Sequence, residues 1–337
     1  MNDTERILLG HGGGGKLSRN LIDKEIVTRF GTEGPLVGLP DGARLQLGEE
    51  TLVFSTDSFV VSPLEFPGGD IGRLAVHGTV NDVSVSGAEP LWLSLALIIE
   101  EGLEMTVLQR ILDSVKDAAD EIGVKVVTGD TKVVARGQCD RLFINTAGIG
   151  RKIKNLNTGM DKIEQGDVVI TSGTLGDHGM AIMAARENLT LNNELHSDTG
   201  SVHRLVAAAA EWADGVRFMR DPTRGGIAAV LGETVEEQPF GIVLKEERIP
   251  YNPDARAVAE VLGIDLMHVA CEGRMLLICA AEIAEKIVAA WRALPEGAGA
   301  AIIGEVTDDR GRVILETLIG GRRMVDIPQG ELLPRIC

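Results

Sequence analysis

Four aspartates stand in short motifs where a predicted strand or helix runs into a loop. They are Asp57 in STDSF, Asp82 in GTVND, Asp130 in TGDTK and Asp221 in RDPTRGG. An aspartate at such a position is often only a turn residue or a helix cap. Several of them gathered from different elements form a common Mg²⁺ site, because this ion prefers a few carboxylates together with water and phosphate oxygens.

Basic side chains lie beside these acids. Lys132 in TGDTK and Arg224 in RDPTRGG either form structural ion pairs or balance a polyphosphate. The run GHGGGGK at 10–16 meets glycine-rich nucleotide patterns only formally, since Leu17 stands where a P-loop needs Ser or Thr. Its backbone and Lys16, just before a helix, are still suited to wrap phosphates. The alternative is a mobile Gly-rich arm.

Two further residues are candidates for covalent and proton-transfer chemistry. Glu272 precedes an apolar strand, where burial would raise its pKa and make it a proton acceptor, although an exposed turn residue is the alternative. Cys337 is the last residue, and an exposed terminal thiol is a competent acceptor for acyl-type groups. Isolated histidines are weaker candidates: His11, His77, His178 and His268.

An α/β (α+β) chain of two domains must position these residues. Its 337 residues exceed the usual size of one core, and its 41 glycines favour tight turns and backbone-lined sites. In the first half, the residue pattern predicts helices at 16–30, 70–86 and 104–122 and a loop at 32–48. It predicts strands at 51–55, 91–99, 124–128 and 142–149. After a polar linker at 151–166, the second half predicts strands at 167–172, 216–220, 240–245, 274–280 and 300–306, with helices at 200–213, 225–237, 253–262 and 282–294.

These elements predict four parts of the chain. They are a Gly-rich arm with the first helix at 1–45, an N-terminal domain at 46–155, a C-terminal α/β domain at 156–327, and a flexible tail at 328–337. The net charge of the chain is −17, and its Lys and Arg residues do not cluster into a basic surface that could bind nucleic acid. Neither a signal peptide nor a membrane span is expected, and the four cysteines lack C-x-x-C spacing, so we expect a cytoplasmic protein without disulfides or structural zinc.

Motifs along nearly the whole chain resemble one family. GHGGGGK, FSTDSFVVSPLEFPGG, GTVNDVSVSGA, TGDTKVV, LFINTAGIG, SGTLGDHG, RDPTRGG and the terminal PRIC are similar to the HypE family of hydrogenase maturation factors. That family belongs to the superfamily of aminoimidazole ribonucleotide synthetase and selenophosphate synthetase. The resemblance implies an aminoimidazole ribonucleotide synthetase-like fold, ATP bound with Mg²⁺ between domains, and a homodimer built on the first domain.

The resemblance also implies a reaction. A partner carbamoyltransferase loads a carboxamide onto Cys337, the chain dehydrates it to a thiocyanate with ATP, and cyanide passes to iron on a partner scaffold complex during nickel–iron hydrogenase maturation. The residues implied as catalytic are Cys337, Glu272 and Lys132. Those implied for Mg²⁺ are Asp57, Asp82, Asp130 and Asp221. Those implied for ATP are Lys16, Asp57, Asn81, Asp82, Asp130, Thr131, Lys132, Asp221 and Arg224.

Two positions depart from the family pattern, and two other functions compete with it. Gly13 replaces the serine of GHGSGG, and Cys271 stands where an asparagine is expected before Glu272. A selenophosphate synthetase-like enzyme for a small molecule would need a reactive cysteine near the N-terminus, yet the first cysteine is Cys139. A non-catalytic scaffold switched by nucleotide would couple no ATP hydrolysis to Cys337.

Overall fold

The computed structural model describes residues 6–13, 15–30, 40–189, 195–327, 333 and 335–337. Its first half is a five-stranded sheet in the order β1-β2-β7-β5-β6. The strands are β1 (Ala43–Leu47), β2 (Glu50–Phe59), β5 (Ala88–Glu100), β6 (Lys125–Val134) and β7 (Leu142–Lys152), with a small hairpin of β3 (Glu65–Phe66) and β4 (Gly69–Asp70). Neighbouring strands of the sheet are antiparallel except β5 and β6, which are parallel.

Two helices cover this sheet, α3 (Ile71–Val85) and α4 (Met105–Ile122). The Asp70 carboxylate caps α3 by accepting hydrogen bonds from the backbone N–H groups of Gly72 and Arg73. Nearly every residue of α3 is buried, because it packs on β2, β5 and β7 and also faces the second half of the chain. This helix therefore fixes any side chain it carries with little freedom.

The second half is a seven-stranded sheet in the order β14-β13-β10-β12-β8-β11-β9. Its strands are β8 (Val168–Thr171), β9 (Val216–Arg220), β10 (Gly241–Lys245), β11 (Leu276–Cys279), β12 (Ala301–Thr307), β13 (Val313–Glu316) and β14 (Arg322–Met324). Its helices are α5 (Asp177–Arg186), α6 (His203–Ala209), α7 (Gly226–Val235), α8 (Pro253–Leu262) and α9 (Ala281–Arg292). Apolar cores lie on both faces of this sheet, and one is centred on the fully buried Trp291.

The predicted N-terminal helix is present but interrupted. It consists of α1 (Gly15–Leu21), a π-helical stretch at Ile22–Val27, and α2 (Thr28–Phe30). Its apolar stripe is not buried by the rest of the described chain, since Phe30 is 74% exposed and Ile26 is 44% exposed. None of the described helices combines the length and apolarity needed to cross a membrane.

Most predicted elements of the two α/β halves are confirmed. The prediction of a loop at 32–48 is wrong in the described part of that segment, because β1 occupies 43–47. The sequence patterns did not predict α5, β13 or β14. Helix α5 is buried on almost all sides, so it has no apolar and polar faces to produce a helical periodicity. The linker starts later than predicted, since β7 continues to Lys152.

Gly226 provides a test of how closely the second half is packed. It begins α7 with φ +60°, and a Cβ there would lie 2.6 Å from the carbonyl oxygens of Met267 and Val269. We predict that Gly226→Ala lowers the free energy of unfolding by about 3 kcal/mol, combining left-handed strain with a backbone clash. The change in melting temperature measures it.

Gly263 is the matched control for this prediction. It ends α8 with φ +69°, and no atom lies within 4 Å of its ideal Cβ position. Gly263→Ala should therefore cost only the backbone strain, about 1 kcal/mol. Equal losses in the two variants would show that packing against Met267 and Val269 contributes nothing.

Candidate active site

Three carboxylates converge between the two halves: Asp41, Asp82 and Asp221. One oxygen of each lies within 4.8 Å of the others. Asp41 comes just before β1, Asp82 lies on α3, and Asp221 directly follows β9. The Ser55 Oγ atom on β2 lies 2.7 Å from both the Asp82 Oδ2 atom and the Asp41 carbonyl oxygen, so it ties the cluster to the first sheet.

Burial and mutual repulsion keep these carboxylates from ionising freely. Burial, reinforced by the Asp41 charge, raises the pKa of Asp221 to about 8. Burial and the neighbouring Asp221 also raise the pKa of Asp82 well above its usual range. The Asp221 Oδ2 atom is buried without a hydrogen-bond partner among the described residues. Hard oxygen donors this close, one of them unpaired, suit a divalent cation such as Mg²⁺.

Arg220 and Arg224 partly compensate this negative charge. Arg220 pairs with Asp41 at 3.1 Å and with Glu233 at 2.8 Å, and these partners keep its pKa raised despite its burial. The Arg224 Nη2 atom lies 3.1 Å from the Asp57 Oδ1 atom, whose charge is the main reason that the pKa of Arg224 is raised. Both arginines line a cavity of about 380 Å³ that also contains the three clustered carboxylates.

The C-terminal cysteine lines an adjoining cavity of about 190 Å³. Arg224 lines this cavity too, and Cys337 is among the groups that raise the pKa of Arg224. Gly12 and Gly13, from the glycine-rich run, form part of its wall. The guanidinium of Arg224 therefore connects the carboxylate cavity with the chain terminus.

The described end of the tail is packed between the two halves. The Val60 N–H donates to the Cys337 carbonyl oxygen at 3.0 Å, and the Ile336 side chain is only 4% exposed in the core of the first half. The Arg335 Nε atom donates to the Val60 carbonyl oxygen at 3.0 Å. These contacts place the last residue beside the end of β2, the strand whose Ser55 contacts Asp82 of the acidic cluster.

His178 holds the tail from the second half. It is fully buried on α5, and its Nε2 atom lies 2.8 Å from the Ile336 carbonyl oxygen. Because a carbonyl can only accept, Nε2 carries the proton and Nδ1 accepts from the Ser197 hydroxyl at 2.7 Å. Burial lowers the pKa of His178, which favours this neutral form. Sequence analysis could name His178 only as an isolated histidine.

Glu272 faces the same region from the second half. It is 3% exposed, and its Oε1 atom is buried without a hydrogen-bond partner in the described chain. Burial, followed by the charges of Asp221 and Asp57, raises its pKa well above the usual range. The Glu272 N–H donates to the Asp198 Oδ1 atom at 3.2 Å, which fixes the backbone. The anticipated burial of this glutamate is thus present.

Asn81 holds the loop that supports Glu272. Its Oδ1 atom accepts from the Val202 N–H at 2.9 Å, and its Nδ2 atom donates to the carbonyl oxygens of Gly200 and Glu272 at 2.9 and 3.3 Å. Both polar ends of this buried amide are therefore engaged by backbone. ATP contact by Asn81 stays a prediction, and the structure gives this residue a positioning role.

Other predicted site residues lie apart from the carboxylate cluster. Asp130, Thr131 and Lys132 are on β6, the exposed edge strand, and the cross-strand register relates β6 to Asp57 through β7 and β5. Three strand intervals of ~4.8 Å separate them by about 14 Å along the sheet. Lys16 differs from these three: it is exposed in α1, and its neighbours Gly15, Ser18 and Arg19 line the carboxylate cavity. Asp41 was missed, because its segment was predicted as a loop without chemistry.

The two departures from the family pattern have different positions. Gly13 lies in the wall of the Cys337 cavity. The Cys271 Sγ atom accepts from the Gly176 N–H at 3.2 Å inside the core of the second half. Cys271 therefore points away from the carboxylate cavity and serves the packing beneath Glu272.

The raised pKa of Asp221 predicts a pH-dependent stability in the absence of divalent cations. The folded state retains a proton up to about pH 8, which the unfolded chain loses near its ordinary pKa of 3.8. Stability must then fall as pH rises between these values. We predict that the melting temperature in EDTA falls from about pH 5 to about pH 8, less steeply in Asp221→Asn, and that Mg²⁺ reverses the fall.

Asp308, an exposed loop residue, is the control for that measurement. Asp308→Asn should keep the wild-type slope of melting temperature against pH. A slope unchanged in Asp221→Asn would mean that this carboxylate is already ionised in the folded protein.

The burial of Ile336 leads to a prediction of how tightly the tail holds Cys337 in its cavity. Ile336→Ala removes side-chain contacts with the first-half core, so the tail should leave its cavity more often. We expect Cys337 to react with a maleimide roughly tenfold faster, as measured by mass spectrometry of the C-terminal peptide. Ile336→Val, which loses one methylene, is the control with a small effect. Equal rates in all three proteins would show that Ile336 does not retain the tail.

Comparisons with known proteins agree with this arrangement. Residues 40–152 match the model for the AIR synthase related protein, N-terminal domain, and residues 164–316 match the corresponding C-terminal domain. The carbamoyl dehydratase HypE of Rhodobacter capsulatus is 45% identical, across 99% of this chain and 98% of the relative. That of Escherichia coli K12 is 44% identical, across 98% and 99%.

Solved structures point to the same family. A HypE in complex with ATP superposes with a TM-score of 0.82 at 42% identity, covering 98% of this chain and 100% of that one. The HypE of a HypE–HypF complex superposes with a TM-score of 0.87 at 42% identity, covering 91% and 99%. With both domain models matched and identity above 40% over nearly the full length, this chain belongs to the HypE family of carbamoyl dehydratases.

Proposed function

We propose that the chain uses ATP to dehydrate an S-carboxamide on its own Cys337 to a thiocyanate, the cyanide donor for the iron centre in nickel–iron hydrogenase maturation. The observation that carries this proposal is the position of Arg224. It pairs with Asp57 in the carboxylate cavity and also lines the cavity that holds Cys337. A solved HypE binds ATP, and we infer that the carboxylate cavity does so here.

The reaction has two chemical requirements. The carboxamide oxygen is a poor leaving group, so it attacks the γ-phosphorus of ATP, and ADP leaves. Both N–H protons must then be removed while the C–O bond breaks and phosphate departs, which leaves S–C≡N. The net change is one ATP converted to ADP and phosphate for each carboxamide dehydrated. The chain must supply a phosphate-binding site and a proton acceptor near Cys337.

Glu272 is the proposed proton acceptor. Its unpaired Oε1 atom and raised pKa describe a carboxylate that binds protons strongly once it is ionised. The hydrogen bond from its N–H to Asp198, and that from Asn81 to its carbonyl oxygen, fix the backbone, so the carboxylate is positioned before substrate arrives. Arg224 partly opposes this rise in the pKa of Glu272, which favours the ionised form that can accept a proton.

The phosphates and their cation are assigned to the carboxylate cavity. We propose Asp41, Asp82 and Asp221 as Mg²⁺ ligands, with Asp57 as a further acidic neighbour. Bound Mg²⁺ would supply positive charge for the polyphosphate. Arg224 and Lys16 contribute cationic side chains, and a guanidinium matches phosphate oxygens in geometry.

Loading of Cys337 requires the tail to leave its cavity. The packed Ile336 and the His178 hydrogen bond favour the internal position in which dehydration takes place. A carbamoyltransferase can reach Cys337 only when these contacts are broken. The solved complex of a HypE with HypF supports such a partner, and we assign the acceptance of cyanide to an iron-carrying scaffold complex.

A homodimer would complete the nucleotide site. On one face, strands of the first sheet expose large apolar residues, including Leu47, Phe54, Trp92 and Ile98. Such a patch is typical of a subunit interface. We propose that two sheets pair through this surface, and that Asp130, Thr131 and Lys132 on exposed β6 serve the partner's ATP.

Intact-mass spectrometry tests the proposed reaction. The protein is incubated with the carbamoyltransferase, carbamoyl phosphate and Mg-ATP. The wild type should gain a carboxamide and lose one water only when ATP is present. Glu272→Gln, which keeps size but cannot accept a proton, should load normally and dehydrate at least ~100-fold more slowly. The exposed Glu260→Gln on α8 is the control.

Two results would contradict this assignment. Normal dehydration in Glu272→Gln would remove Glu272 as the base while leaving the reaction intact. An unmodified Cys337 with ATP still consumed would instead favour an enzyme for a small molecule with the same fold. Cys337→Ala is the control for loading, because without the thiol the protein should never gain a carboxamide.

Subunit mixing tests the shared site. Lys132→Ala and Asp82→Asn should each be inactive as homodimers. If β6 serves the partner, a mixed dimer has one intact site, and an equal mixture should recover about a quarter of wild-type activity. Without recovery after confirmed subunit exchange, Lys132 and Asp82 would have to act within one subunit.

A further inference from the structure

A third cavity lies away from the carboxylate cluster and Cys337. It has a volume of about 590 Å³, within the range of small-molecule pockets, and is formed by four regions of the chain. These regions are the hairpin at Gly68 and Gly69 with the first half of α3, the end of α4, the segment at 199–204, and Glu296. No step of the proposed dehydration uses it.

His77 on α3 lines this cavity, and one of its two ring nitrogens is unsatisfied within the described chain. It is 4% exposed, and its Nδ1 atom is buried without a hydrogen-bond partner in the described chain. Burial and the adjacent Arg73 cation lower its pKa to about 4, so it is neutral at physiological pH. A buried imidazole nitrogen with no partner is costly unless a ligand or water satisfies it.

Two arginines line the same cavity, and each is paired with a glutamate that also lines it. Arg73 contacts Glu121 through its Nη2 atom, and the Arg204 Nε atom lies 3.4 Å from Glu296. A guanidinium has five N–H donors, so these single-nitrogen contacts leave donors for a ligand. The remaining wall includes Gly68, Gly69 and Gly200, where backbone can approach closely because no side chain intervenes.

We propose that this cavity binds the phosphate group of a small organic metabolite, held by Arg73, Arg204 and His77. A phosphate offers several acceptor oxygens, which complement two guanidinium groups and an imidazole N–H. A metal site is disfavoured, since the one group of three ligating side chains found in the described residues is the aspartate cluster. The volume exceeds that of phosphate alone, which leaves space for an organic part.

Backbone contacts connect this cavity to the proposed base. Gly200 lines the cavity, its carbonyl oxygen accepts from Asn81, and its N–H donates to the Glu272 carbonyl oxygen at 3.4 Å. A ligand in the cavity therefore contacts the loop that fixes Glu272. Its binding can be measured independently of the dehydratase reaction.

Histidine-ring NMR of the full-length protein tests the proposal, because the chain has only six histidines. Mg-ADP is kept saturating, and inorganic phosphate or glucose 6-phosphate is titrated at constant ionic strength. Resonances are assigned by single His→Gln replacements, with His77 assigned by elimination if its variant does not fold. We expect saturable shifts of His77 and His203, which lines the same cavity, and none of His268 beside Cys337.

Arginine replacements establish the location of the bound phosphate. Arg204→Gln should weaken binding about tenfold, because it removes a charged donor. Arg110→Gln is the matched control, since Arg110 also pairs with a glutamate, Glu65, but lies outside the cavity. Absence of His77 shifts at millimolar probe, or equal affinity in Arg204→Gln and wild type, would overturn the proposal. Neither result would affect the dehydratase assignment.

Discussion

The site depends on holding three carboxylates together against their mutual repulsion. Asp41, Asp82 and Asp221 come from three different elements and place oxygens within 4.8 Å of one another. Such a group is tolerated because protonation or a cation neutralises it and because Arg220 binds Asp41. The fold must therefore be rigid enough to resist separation of these groups, which explains why they sit at a strand end, a buried helix and the start of a sheet.

Helix α3 transmits that rigidity between the two halves. Consecutive residues on it perform different tasks: Asp82 joins the carboxylates, while Asn81 binds backbone of the second half beside Glu272. One turn earlier, His77 lines the separate cavity. A displacement of this helix would move Asp82 and the backbone beside Glu272 together, and its almost complete burial holds both in place.

Local sequence patterns predicted three of the aspartates that line the carboxylate cavity. Asp57, Asp82 and Asp221 follow or occupy recognisable elements, and the structure places all three around one cavity. Asp41 could not be found in this way, because its importance arises from Arg220, almost 180 residues later in the chain. Asp130 and Lys132 stand in a motif that combines an acid and a base, as Asp221 and Arg224 do. The order of strands in the sheet nevertheless separates Asp130 and Lys132 from Asp57. Strand order is a tertiary property that single motifs do not contain.

Residues near both ends of the chain line the cavity that contains Cys337. The glycine-rich run predicts phosphate binding, and the structure places Gly12 and Gly13 in the wall around Cys337 and Gly15 in the wall of the carboxylate cavity. A wall without side chains leaves room for a thiol that must carry first a carboxamide and then a nitrile. Arg224 lines both this cavity and the carboxylate cavity, so in the proposed mechanism one cation would serve the modified thiol and the polyphosphate. In this arrangement the chain can bring its own terminus to the ATP site and exclude competing nucleophiles by keeping Ile336 packed behind it.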